Sequence, residues 1–169
     1  MKRIILTGLL IMCFLLIGCG IKEDKNELVI KVNNNNINYL LTTESFTTKD
    51  DFKKAYSEIN SKELIYVSKG SKVSLDLNNR NEKVNIKAYW IDKEGFPIYN
   101  LPNGEPLDME VNVEESGNSK YEFTVEGLLQ TALSSHYEEN EKVTAGYVAE
   151  LQNGDETRYC YFMIQIDKN

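Results

Sequence analysis

From Glu63 to its C-terminus the chain predicts an antiparallel β-sandwich, on three observations. Apolar and polar residues alternate at period two, the mark of half-buried strands. Turn residues punctuate the runs at short intervals: Ser68-Lys69-Gly70, Asp92-Lys93-Glu94-Gly95, Ser116-Gly117-Asn118 and Asn153-Gly154. The last two runs also agree with the turn between them. Read as a two-residue type I′ loop, Asn153-Gly154 sets Tyr147 opposite Cys160, Ala145 opposite Phe162 and Val143 opposite Ile164. The apolar faces assigned to each strand separately then fall on one side.

Taken in order, the first element is an address. Met1-Lys2-Arg3 precedes an apolar run from Ile4 to Ile17, and Leu16-Ile17-Gly18-Cys19 closes it. This is the layout of an export signal, and the run is shorter than the ~20 residues a membrane-spanning helix needs. Leu16-Ile17-Gly18-Cys19 resembles the lipobox of bacterial lipoprotein precursors. The resemblance implies cleavage after residue 18 and a diacylglyceryl group on the Cys19 sulfur, with Cys19 as the new N-terminus. The alternatives are an uncleaved anchor or an ordinary secretory signal with an incidental cysteine. Buried acyl chains contribute roughly 0.8 kcal/mol per methylene and one chain holds only marginally, so two on one cysteine suffice as an anchor. Residues 19–27, with Lys22-Glu23-Asp24-Lys25-Asn26, read as a polar tether.

Residues 28–61 are expected to form a hairpin and a short helix packed on the main domain. Glu27 to Leu41 reads as two strands around Asn33-Asn34-Asn35-Asn36. Lys49 to Asn60 reads as a helix with Phe52, Tyr56 and Ile59 on one side. Thr48 and Asp51 stand at capping-box spacing, with Asp in place of the longer Glu. Within residues 62–169 the inward residues are read as Val73-Leu75-Leu77, Val84-Ile86-Ala88-Trp90, Tyr121-Phe123-Val125, Val143-Ala145-Tyr147-Ala149 and Cys160-Phe162-Ile164-Ile166. Met109, Val111 and Val113 make a shorter strand, and Glu126 to Asn140 a second short helix. Ile65 to Leu75 resembles the first strand of an immunoglobulin-like domain crossing to the second, and Trp90 stands where such folds carry a core tryptophan. That resemblance implies a mainly β, immunoglobulin-like antiparallel sandwich with an N-terminal hairpin and one or two short helices. No cysteine pair joins the sheets and no full tyrosine corner can be assigned.

Charge and chemistry narrow the function. The chain has 19 basic and 26 acidic residues, a formal net charge of −7, and loss of Lys2 and Arg3 with the signal makes the remainder more acidic. Nucleic acid is an unfavourable partner for such a domain. Cys13 leaves with the signal and Cys19 is acylated on the lipobox reading, so Cys160 stands alone as a core cysteine. His136 is the single histidine, and the Ser134-Ser135 before it cannot face it on a helix. One histidine and one free thiol leave zinc too few ligands, and no calcium-loop series of acidic residues occurs. Asp108 with Glu110, the Glu138-Glu139-Glu141 cluster and Asp155-Glu156 read as solvated surface. No catalytic residue, metal or other cofactor is implied.

The candidate binding surface is the opposite face of the late strands. If Cys160, Phe162 and Ile164 point inward, Tyr159, Tyr161 and Met163 point outward, beside Val148 and with Tyr161 over Gly146. Tyr89 and Ile91 share that face. Together they form an apolar, aromatic patch of the kind that marks interaction sites. Against this, the Phe52-Tyr56-Ile59 helix needs an apolar surface, which tips the balance toward a covered face; a reversal of the two faces is a third reading. The expected function is a non-catalytic lipoprotein on the outer face of a Gram-positive cell membrane, held through Cys19, that binds an envelope protein or wall polymer. A small-ligand carrier or sensor serving a transporter is the alternative, and an envelope hydrolase a third.

Overall fold

In the computed structural model, residues 28–59, 64–126 and 142–167 are described. The export signal, Cys19 and the tether lie outside them, as do His136 and all but the first residue of the second expected helix. No described helix is long and apolar enough to cross a membrane.

The two longest strands organise the molecule. β10 (Lys142–Asn153) and β11 (Glu156–Asp167) pair in register along their whole length. The pairing differs from expectation by two residues: Tyr147 faces Phe162, Ala145 faces Ile164 and Val143 faces Ile166. The loop is Gly154-Asp155 rather than Asn153-Gly154, because Asn153 is itself paired, with Glu156. Gly154 has φ +60° and Asp155 is not among the positive-φ residues. A positive φ at the first loop position alone is the mark of a type II′ turn, which wants glycine there. A two-residue slip preserves the face of every side chain, so the inward assignments survive.

Two sheets stack about these strands. One has the order β2 (Asn35–Asn36), β1 (Val29–Val32), β5 (Lys72–Asp76), β9 (Lys120–Thr124), β8 (Glu114–Gly117). The other runs β3 (Tyr39–Thr42), β11, β10, β6 (Lys83–Ile91), β7 (Met109–Glu110), with β4 (Tyr66–Val67) also on β11. This is the expected antiparallel β-sandwich. The strands of residues 28–42 do not pack on it from outside but are part of it: β1 belongs to the first sheet and β3 to the second. A tight turn explains the exchange. Asn33 and Asn34 both have positive φ, which asparagine tolerates, and Val32 pairs with Asn35 around them. Past Ile37 the chain enters the other sheet. The Ile65–Leu75 crossing is present as expected, with β4 parallel to β11 and β5 in the opposite sheet.

The inner core holds every inward residue named above except Val84, Met109, Val111, Val113 and Tyr121, which pack on it half-buried. Phe123, Tyr147 and Phe162 stack through it, with Tyr147 and Phe162 centroids 5.2 Å apart. At one end Glu82, only 4 % exposed, receives two contacts from Arg158 Nη2 at 2.8 and 3.1 Å, and its carbonyl accepts the Tyr121 hydroxyl at 2.7 Å. These bonds satisfy a charge that would otherwise be costly to bury.

Helix α1 (Lys49–Ile59) lies on the outer face of the second sheet. Its start is capped as expected. Thr48 N–H donates to Asp51 Oδ2 at 2.8 Å, Asp51 N–H reaches back to Thr48 Oγ1 at 3.4 Å, and Thr47 N–H adds a third contact at 3.1 Å. Partial burial works against the Asp51 carboxylate, but these hydrogen bonds and Lys54 outweigh it and hold its pKa below the ordinary 3.8. Phe52, Ala55 and Ile59 are the buried residues of the helix.

Phe52→Ala is expected to destabilise the domain by ~3–5 kcal/mol in urea unfolding, the usual cost of removing a core phenyl ring. The Asp51 cap has a defined pH signature. A lowered folded-state pKa adds stability above the unfolded value that is lost as pH falls through the folded one. The stability gap between wild type and Asp51→Asn should therefore be present at neutral pH and close in acid below pH 3.8. A gap that persists unchanged in acid would show that the carboxylate does not supply the capping energy.

Candidate functional site: a cleft between the sheets

The expected binding face is not open. Tyr89, Ile91, Val148, Tyr161 and Met163 are all 5 % exposed or less and form one cluster with Phe52, Ala55 and Ile59 of α1. The helix covers them because both faces of β10 and β11 are apolar and both need a lid. Phe52 sits at the centre, 4.6 Å from the Tyr89 ring and 5.7 Å from the Tyr161 ring by centroids. Phe46, on the approach to α1, stacks on Tyr161 at 5.2 Å. Tyr159 stands at the margin, half-buried against the same cluster.

Tyr161 lies over Gly146 as expected, though diagonally, since Gly146 pairs with Met163. A Cβ at Gly146 would come within 2.8 Å of the Tyr161 hydroxyl and 2.9 Å of Ile91, so only glycine leaves the ring its place. The hydroxyl itself is buried and finds no hydrogen-bond partner among the described residues. Burial pushes its pKa far up, so it stays protonated. Cys160 is likewise buried with its thiol pKa raised, an inert core residue.

Space for a ligand lies on the other side of the second sheet. A cleft of about 470 Å³ opens between the sheets where β6 and β7 face β9 and the start of β8. Its floor is made by Trp90, Tyr147 and Phe123. Two alanines create the room: Ala145 pairs with Trp90, and Ala88 pairs with Tyr147 and Met109. Each large ring thus neighbours a side chain of one carbon, and the sheets are not filled in along this edge. The β6–β7 pairing covers only Lys87 with Glu110 and Ala88 with Met109 before the chain leaves for the first sheet.

Trp90 is 2 % exposed, and its Nε1–H has no partner among the described residues. A buried donor left unsatisfied costs about 1–3 kcal/mol, and such orphans are rare in native proteins. At the rim Glu110, Glu114, Glu122 and Glu126 stand with one cation, Lys72, whose Nζ is 3.7 Å from Glu122.

Other features have local explanations. Asp108 pairs with Lys87, and this contact, opposed by partial burial, raises the lysine pKa. A smaller hollow of about 150 Å³ lies beside α1, between Leu40, Phe46 and Ala55. Among the described residues no three His, Cys, Asp or Glu side chains gather as a metal site. Sequence reasoning placed Trp90 inward but missed the cleft; the alternation of alanine with aromatic rings was its one available signal.

Tyr161→Phe keeps the ring and removes an unpaired buried hydroxyl, so thermal or urea unfolding should show the variant equal to wild type or more stable by up to ~3 kcal/mol. Clear destabilisation would mean that the hydroxyl is hydrogen-bonded in the folded protein.

No protein-family model matches the chain, and no curated protein matches its sequence. Among solved structures it is similar to the crystal structure of a Niemann-Pick type C2 protein from the Japanese carpenter ant. The match has 13 % identity and a TM-score of 0.28, and covers 82 % of this chain and 92 % of that one.

Proposed function

We propose that this protein is a non-catalytic, lipid-anchored binding domain of the cell envelope that receives a small, largely apolar ligand between its sheets. The observation that carries the reading is the inter-sheet cleft with its aromatic floor. Its volume falls in the range of small-molecule sites, roughly 300–1,000 Å³. Its aromatic floor offers apolar contact, and its rim, with Lys72, Glu110, Asn112, Glu114, Glu122, Thr124 and Glu126, is polar. The envelope address rests on the lipobox-like Leu16-Ile17-Gly18-Cys19.

The carrier or sensor reading therefore stands ahead of docking to an envelope protein or wall polymer, whose supposed surface lies under α1.

The chain supplies its own reporter, because Trp90 is its one tryptophan. Titration of the purified protein with the neutral probe N-phenyl-1-naphthylamine should change Trp90 emission saturably. Val111→Phe, which adds a ring at the half-buried mouth, should weaken that binding by at least ~10-fold, about 1.4 kcal/mol. No saturable response, or an equal response in a folded Val111→Phe variant, would end this reading.

A further inference from the structure

We propose a second binding site, independent of the cleft: a hollow on the outer face of the second sheet that holds one pyranose ring of a glycan. The site lies where the helix roof ends. Cross-strand register sets Asn85, Glu150, Tyr159 and Thr42 in one row, and Lys87, Val148, Tyr161 and Leu40 in the next. Helix α1 covers the apolar part of this face, while Asn85 and Glu150 stay outside the cluster beneath it. Ser45, Phe46 and Thr47, on the approach to the helix, close the other side, and the space between is about 180 Å³. At roughly 30 Å³ per water this equals about six waters, room for one sugar residue rather than for an extended chain.

Its lining matches the two kinds of surface a sugar ring has. Val148 and the Phe46 ring, which stacks on Tyr161, supply apolar contact. Around them stand groups that both donate and accept: the hydroxyls of Ser45, Thr47, Tyr89 and Tyr159 and the amide of Asn85. A pyranose has the same plan, C–H bonds over the ring and hydroxyls at its circumference. Lys87 is already bound to Asp108 and lies near Glu150, so the hollow offers an anion no spare cation.

The Tyr89 hydroxyl marks the hollow as a site. Tyr89 is 5 % exposed and its ring lies against Phe52, yet its hydroxyl forms no hydrogen bond among the described residues. Unlike the orphaned groups of Trp90 and Tyr161, it is not sealed from solvent. Burial, with the nearby Asp108 charge, raises its pKa, so it stays a protonated donor. A ligand oxygen in the hollow completes it.

The test is an NMR titration of the isotope-labelled protein with cellotetraose and with chitotetraose, each a chain of pyranose rings, and with the open-chain polyol sorbitol. At least one tetrasaccharide is expected to saturate with a Kd of ~1 mM or tighter. The amide shifts should centre on Asn85, Lys87, Tyr89, Val148, Glu150 and Tyr159. Sorbitol, which has the hydroxyls but no ring, should give no saturable shift. Tyr89→Phe keeps the ring against Phe52, and Asn85 is exposed, so Tyr89→Phe and Asn85→Ala should both fold. Each loses one hydrogen-bonding group and should weaken the tetrasaccharide by at least ~3-fold. No saturable shift with either tetrasaccharide, shifts centred elsewhere, an equal response to sorbitol, or full affinity in either folded variant would overturn the proposal. The naphthylamine titration reads the opposite face of the same sheet, so the two sites stand or fall separately.

Discussion

The fold depends on one constraint: the β10–β11 hairpin is apolar on both faces. Residues such as Ala145, Tyr147, Phe162 and Ile164 need one partner layer, and Val148, Tyr161 and Met163 need another. A single sheet can turn only one face to a sandwich core, so the second face must be roofed by something else. Helix α1 is that roof, and Phe52 is its main contact. The segment before the helix serves the same end, because β3 lies against β11 and leads the chain to Phe46 and then to the cap at Thr48. Three layers result: first sheet, second sheet, helix.

The same economy of side chains explains where the structure is not filled. Near β10 and β11 the aromatic rings of Tyr147 and Phe162 stack, with centroids 5.2 Å apart. Toward β6 and β7 the rings of Trp90 and Tyr147 alternate with Ala145 and Ala88, and the sheets part. The covered face and the cleft are therefore opposite faces of one sheet, one closed by a helix and the other open at its edge. A ligand in the cleft would touch Ala88 and Trp90, whose neighbours Tyr89 and Ile91 lie beneath α1.

Local features proved readable in the sequence and long-range ones did not. Inward and outward sides followed from period two, and even the misjudged turn left them intact, since the error was two residues. The choice between Asn153-Gly154 and Gly154-Asp155 turned on a global match of two twelve-residue strands, which the local preference of asparagine and glycine does not report. The cap at Thr48 and Asp51 spans three residues and was visible at once. Glu82 and Arg158 lie 76 residues apart, and nothing in the flanking sequence marks them as a pair. Whether the Tyr161 face was open could not be settled from strands alone, because the answer belongs to where a separate helix docks. The cleft is a property of two sheets together, so it too lay beyond any one segment.

The borders of the two sheets carry a consequence of their own. On the second sheet β3 and β4 together line the flank of β11, one antiparallel and the other parallel, while β7 on the far side is two residues long. On the first sheet β2 is equally short, and β8 is acidic, fully exposed and broken by an irregular register at Glu115–Gly117. Unpaired strand borders invite neighbouring molecules to add to a sheet, and short, charged or kinked ones refuse them. Borders built this way disfavour edge-to-edge polymerisation of the domain at high local concentration.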